Sequence, residues 1–135
     1  MMQEEARGQV LLYQRDDGSA GVEVKLEDQT VWLTQKQIAE LFQTTRENVT
    51  MHARNIFDER ELDPTATSKE FLQVRQEGGR QVKRQVLHYN LDFIISVGYR
   101  VKSKVATQFR IWATQCLKEY LVQGYSLNEQ RLISD

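Results

Sequence analysis

The side chains in this chain whose types and spacing suit chemistry on a partner are cations and short polar groups rather than nucleophiles. Thr44, Thr45, Arg46, Asn48, Thr50 and Arg54 recur at helical spacing, with Gln35 and Lys36 at an earlier helix start. A guanidinium such as Arg46 can donate two hydrogen bonds to a guanine edge, worth about 1–3 kcal/mol of discrimination. Short donors and backbone amides at helix starts suit phosphate oxygens. The expected chemistry is therefore recognition of double-stranded DNA, with Arg46 as first base reader. The competing reading pairs Arg46 and Arg54 with Glu47, Asp58 or Glu59, and Asn48 stands between a groove contact and a role in the turn. A second group of cations, Arg75, Arg80, Lys83 and Arg84, flanks Gly78-Gly79, where a hairpin tip would carry them to phosphate or a minor groove.

Catalytic patterns are weaker. Gly78-Gly79 lacks the strand, loop and helix context of a nucleotide-cradling loop. His52 falls on an apolar helix face, the position of a satisfied core histidine, and His88 ends a strand without a clear role. The single cysteine, Cys116, sits on a helix face suited to packing, and it excludes an intramolecular disulfide. Two histidines without zinc-ligand spacing argue against a metal site. Neither an enzyme nor a cofactor is expected.

The net charge of −1 conceals an uneven distribution. Residues 1–30 carry three basic and seven acidic groups, whereas residues 75–110 carry eight basic and two acidic. Phosphate attraction acts within a Debye length of roughly 8 Å, so the local excess matters more than the total; the alternative is a solvated strand and helix face. A composition 40% hydrophobic and 27% charged, over 135 residues, is that of one ordinary globular domain. The uncharged stretch Phe93 to Tyr99 is far too short to cross a bilayer, and the amino terminus lacks the pattern of a signal peptide. A cytoplasmic protein with no membrane partner is expected.

The elements that must position the cations follow from periodicity and punctuation. Val10 to Gln14 and Val22 to Leu26 flank Asp16-Asp17-Gly18 as a hairpin, and Val31-Trp32-Leu33 is a third short strand. Thr34 with Gln37 is a capping box opening one helix, and Thr44 with Glu47 a second opening another. Counting Gln35 as the first position of a roughly twenty-residue helix-turn-helix unit, Ala39 permits close approach of the helices. Ile38, Phe42 and Val49 fall at its core positions. Gln43, where glycine is usual, and His52, where an aliphatic residue is usual, depart from the pattern. On the second helix Val49, His52, Ala53, Ile56 and Phe57 face inward, leaving Thr45, Arg46, Glu47, Thr50, Met51 and Arg54 outward. Glu61-Leu62-Asp63-Pro64 ends that run. Phe71 to Gln76 and Gln81 to Tyr89 form a hairpin across Glu77-Gly78-Gly79-Arg80. Asn90 caps a short helix from Leu91 to Val97, closed by Gly98, and a long helix from about Lys104 to Gln123 is stopped by Gly124.

Trp32-Leu33-Thr34-Gln35-Lys36-Gln37-Ile38-Ala39, His52-Ala53-Arg54-Asn55-Ile56, Tyr89-Asn90-Leu91-Asp92, Val97-Gly98-Tyr99-Arg100-Val101 and Phe109-Arg110-Ile111-Trp112-Ala113-Thr114 together resemble the RhuM family of virulence-associated bacterial proteins, over roughly Val10 to Tyr125. Some members carry a Fic-type domain, and no Fic catalytic motif stands in this chain. Tyr99 to Ser103, followed by Phe109 to Trp112, is similar to the close of the Bro amino-terminal domain of phage antirepressors. That likeness implies a module of mobile elements that binds DNA or a repressor. It leaves Arg100, Lys102 and Lys104 as a second phosphate surface beside a structural Tyr99.

The expected fold is α+β: a winged helix-turn-helix-like domain over residues 10–125, with an N-terminal β-hairpin and a long C-terminal helix, between a flexible segment 1–9 and a tail or linker 126–135. Its expected function is transcriptional regulation near the nucleoid. Helix 45–58 reads the duplex and hairpin 75–84 holds phosphates. A homodimer is expected because one small module buries limited surface and paired half-sites are common. The rival is a protein-interaction module that grips a repressor or positions a toxin or Fic-type partner.

Overall fold

Two short turns with left-handed backbone set the frame of the sheet. Asp28 and Gln29 take φ of 54° and 63° between β2 (Val22–Glu27) and β3 (Thr30–Thr34). Gly78 and Gly79 take 57° and 77° between β4 (Ser68–Glu77) and β5 (Arg80–Asn90). Consecutive positive φ values match the right-handed twist of the strands they join, which is why two residues suffice in each turn. The structure, a computed structural model, describes residues 9–134 except 16–17 and 19–20, and only the backbone of residues 121–134. Within it β1 (Gln9–Tyr13) pairs antiparallel with β2, Tyr13 facing Val22. Asp16 and Asp17 of the expected turn lie outside the described residues. The fold is α+β, and the five strands of the described residues form one antiparallel sheet in the order β1-β2-β3-β5-β4.

Alternation along β2 sends Val22, Val24 and Leu26 to one face, where Val31 and Leu33 of β3 join them. The helices cover this face. α1 (Gln35–Leu41) opens on the expected capping box: Thr34 accepts from the Gln37 amide, and the Gln37 side chain accepts from the Thr34 amide at 2.8 Å. It buries Ile38, Ala39 and Leu41. α2 (Arg46–Asp58) buries Val49 and Ile56. α4 (Leu91–Arg100) contributes Phe93, Ile94 and Val97, and α5 (Val105–Ser134) contributes Ala106, Phe109 and Ala113.

Several boundaries differ from the sequence expectation. The cap of α2 is Thr45, whose hydroxyl accepts from the Asn48 amide at 3.0 Å, not Thr44 with Glu47. Thr44 instead accepts from the Asn48 side-chain amide at 2.8 Å, tightening the connection. Gln43 takes φ of 54°, so the backbone does adopt the glycine-favouring conformation there, at a cost of about 1 kcal/mol for a residue with a Cβ. α2 ends at Asp58, where Arg60 turns left-handed with φ 59°; Pro64 does not end the run but opens the short helix α3 (Pro64–Thr67). Its ring fixes φ and lacks the amide that a first-turn residue leaves unpaired. α4 continues through Gly98 to Arg100, and α5 through Gly124 to Ser134, across residues expected to form a tail. A glycine weakens a helix by about 1 kcal/mol but ends one only where the chain needs a positive φ, and neither Gly98 nor Gly124 supplies one.

The opposite face of the sheet has a small core of its own. β5 pairs with β3 only through its last residues, His88, Tyr89 and Asn90, so the β4–β5 ribbon extends past the sheet. At its root Phe71 meets Trp32 and His88 edge-on, with ring centroids 5.2 and 5.1 Å apart, and the Lys25 ammonium lies 4.9 Å above the Phe71 ring. Lys69 reaches Asp28 in the β2–β3 turn at 2.7 Å. Burial holds the His88 imidazole below its usual 6.5; the hydrogen bond of Nδ1 with the Val86 carbonyl, 2.8 Å away, opposes this, and the charge of Lys25 reinforces it. A folded-state value below the unfolded one means that His88 contributes fully above 6.5, and that the contribution is lost as pH falls from there through the lower folded value. Urea midpoints should therefore fall between about pH 7.5 and 5, and His88→Gln should remove that part of the slope. Parallel slopes for both proteins would contradict the assignment.

Candidate nucleic-acid interface

The polar face of α2 is built from its first turn. Thr45, Arg46, Glu47, Thr50, Met51 and Arg54 are all exposed, on the side away from Val49 and Ile56. Neither Arg46 nor Arg54 makes an ion pair among the described residues; Glu59, one of their expected partners, binds Arg100 instead. Gln35 ties the start of α1 to this turn: its Nε2 donates to the Arg46 carbonyl at 2.9 Å and to the Thr50 hydroxyl. That hydroxyl donates in turn to the Arg46 carbonyl at 3.0 Å. Gln35 and Thr50 thus hold the two helices together at the exposed surface. Asn48 is half-buried with its side-chain amide engaged by Thr44, which places it in the turn.

The ribbon brings the second set of cations alongside. Residues two apart share a face of a strand, so Arg75, Glu77, Arg80 and Arg84 lie on one side of the ribbon, and Lys83 lies on the other, opposite Val74. A cleft of about 740 Å³ separates the first side from α1 and the start of α2. Lys36, Arg46, Arg75 and Arg84 line it, together with Gln35 and three carboxylates, Glu23, Glu40 and Glu77. Arg84 pairs with Glu77 at 3.0 Å, both side chains well exposed, a contact worth about 0.2–1 kcal/mol and readily exchanged for another anion. The carboxylates are what sequence reasoning missed. Glu23 could have been found from strand alternation, which sets it on the Lys25 side of β2, and Glu40 from its position one helical turn after Lys36. Arg15 was missed as well; its guanidinium donates to the Glu40 carbonyl.

The third set of cations is separate. Arg100 is tied to Glu59 at 2.9 Å and to Glu61 at 2.8 Å, linking the end of α4 to the end of α2. The Ser96 hydroxyl donates to Glu61 also; this bond first, and the Arg100 guanidinium second, hold the Glu61 carboxyl below its ordinary 4.5. Lys102, at φ 56°, and Lys104 are exposed at the α4–α5 connection, and none of the three lines the cleft.

His52 departs from the satisfied core histidine expected of it. It is half-buried, and its buried Nδ1 has no hydrogen-bond partner among the described residues. The buried histidine is His88. Burial, and then the Glu119 carboxylate, pushes the Cys116 thiol up, away from the thiolate form. Among the described residues no cluster of histidine, cysteine and carboxylate side chains could hold a metal ion, and no helix is long and apolar enough to cross a membrane.

A family model described as the virulence protein RhuM family matches residues 66–135. No curated protein and no solved structure matches the chain. The matched segment begins at the end of α3 and takes in the ribbon, α4 and α5. Several residues that carried the resemblance within it hold the fold together. Tyr89 stacks on Phe93 with centroids 4.1 Å apart, the Asn90 side chain caps α4 by accepting from the Phe93 amide at 3.2 Å, and Phe109 is fully buried. The match does not extend to the likeness with phage antirepressors. With more than half of its length inside that match, the chain belongs to the RhuM family of virulence proteins.

Proposed function

We propose that this chain is a DNA-binding module of a cytoplasmic transcriptional regulator, with α2 in the major groove and the β4–β5 ribbon on the phosphate backbone as a wing. The observation that carries this reading is the cleft itself: Arg46, on the exposed face of α2 and free of any ion pair among the described residues, faces Arg75 and Arg84 of the ribbon across it. Topology supports it as well. α1 and α2 lie between β3 and β4, and β3 pairs with β5, which sets the ribbon beside the helix pair in the manner of a winged helix-turn-helix. A helix with an exposed cationic amino-terminal turn suits base edges, while a basic ribbon suits phosphates.

The test is fluorescence anisotropy with random and selected duplexes across a salt series. Arg46→Ala is expected to cost about 1–3 kcal/mol on a selected sequence and to relax its specificity. Arg80→Ala should weaken all duplexes alike and lower the salt slope by about one unit. Lys83→Ala, on the far side of the ribbon, should do less than either. Absence of salt-sensitive binding to any duplex sinks the reading.

A further inference from the structure

The strand β4 lies at the edge of the sheet, with no strand beyond it among the described residues. It is 10 residues long, and a strand edge of that length is a template for another strand. A two-residue turn makes its flanking pair, Glu77 and Arg80, a hydrogen-bonded one. Alternation from there assigns the amides and carbonyls of Glu70, Leu72, Val74 and Gln76 to the free edge. On the outer face of the ribbon, Leu72, Val74 and Leu87 are 53%, 48% and 44% exposed, an aliphatic stripe left open among the described residues. A groove of about 320 Å³ runs between β4 and the β1–β2 pair, lined by Phe71 to Arg75 of β4 and by Val10, Glu23 and Lys25, so it is polar as well as apolar.

We propose that β4 pairs antiparallel with β4 of a second copy of this chain, about a twofold axis through Gln73, joining two sheets into one. The charge pattern of β4 selects the partner and the register. With Gln73 opposite Gln73, Leu72 meets Val74 of the second copy on the outer face, and Glu70 meets Gln76. On the inner face Lys69 meets Glu77, and Phe71 meets Arg75. One pair of opposite charges, between Lys69 and Glu77, which also hold Asp28 and Arg84 within their own copy, coincides with one apolar pair, and cross-strand pairs of these kinds stabilise a sheet. The strand edges agree as well: Leu72 with Val74, and Glu70 with Gln76, are the residues whose backbone groups point outward. Shifting the strands so that Leu72 faces Leu72 sets Lys69 against Arg75. Shifting them so that Val74 faces Val74 sets Phe71 against Glu77. A sheet register is specified by such pairings, and of these three the Gln73-centred one alone avoids a like-charge or an apolar–acidic pair on the inner face. The axis stands perpendicular to the sheet, so both clefts that hold Arg75 and Arg84 open on the same side of the dimer. The pairing does not depend on DNA binding, and its failure would leave that reading standing.

The test is sedimentation of the full chain without DNA, together with disulfide trapping in a Cys116→Ser background. A dimer is expected. Val74→Pro removes an amide from the free edge while leaving the β4–β5 ladder intact, so it should sediment as a monomer with an unchanged circular dichroism spectrum. Gln73→Cys should give a covalent dimer on mild oxidation, whereas Gln76→Cys, which faces Glu70, should not. Should Val74→Pro fail to fold, the trapping experiment decides alone. A wild-type monomer at all concentrations, a dimer indifferent to Val74→Pro in a folded protein, equal trapping at positions 73 and 76, or a monomer that takes up an extended peptide of another protein at this edge each overturns the proposal.

Discussion

Phe93→Ala is expected to cost about 3–5 kcal/mol of unfolding free energy, enough to leave a domain of ordinary stability, about 5–15 kcal/mol, close to unfolded. Phe93 is fully buried in the first turn of α4, between Tyr89 at the end of β5 and Phe57 near the end of α2, with ring centroids 4.1 and 5.5 Å away. Its loss removes two aromatic contacts and leaves a cavity bounded by a strand and two helices, none of which can collapse alone. Phe93→Leu keeps most of the volume and should cost about 1 kcal/mol. Urea unfolding of both variants at neutral pH measures the difference. A loss below about 1 kcal/mol for Phe93→Ala would show that the site closes over the void, and that Phe93 does not hold β5 and α2 apart.

The sequence disclosed elements well where local chemistry decides them. Alternation and Gly78-Gly79 located the ribbon, and the Thr34–Gln37 box located α1, because each depends on residues within a turn of one another. The split of ribbon cations was also within reach, since strand parity alone separates Lys83 from Arg84. What stayed hidden depends on tertiary partners. Arg100, Lys102 and Lys104 are equivalent as charges in a row, but only the fold brings Glu59 and Glu61 back across about forty residues to engage Arg100. Thr44 and Thr45 compete for one cap, and the left-handed Gln43 sets the phase that favours the second. His52 and His88 were distinguishable only by what packs on them. For His88 this is the aromatic root of a ribbon that folds back over β3.

The two glycines of the last helices show the same limit, and Gly98 yields the second prediction. Read locally, a glycine after an apolar run is a helix stop. In the structure Gly98 is a point of close approach: a Cβ there would stand 2.6 Å from Ala106 Cβ of α5 and 2.8 Å from Phe42 Cζ at the end of α1. Neither neighbour yields easily, because Ala106 and Phe42 are themselves buried. Gly98→Ala gains helix propensity of about 1 kcal/mol, as it would at an exposed site, yet should still destabilise, and Gly98→Val should lose about 3 kcal/mol, the upper end of overpacking costs. Ala106→Gly in the same chain should restore part of the Gly98→Ala loss, since it removes the nearer of the two clashes. Thermal melts of the single and double variants give the coupling. The displacement has a second readout, because Phe42 directly precedes the Gln43 turn that orients α2: amide exchange at Thr44 to Asn48 should quicken in Gly98→Ala. Stabilisation by Gly98→Ala, or additivity with Ala106→Gly, would mean that the three helices do not meet at this glycine.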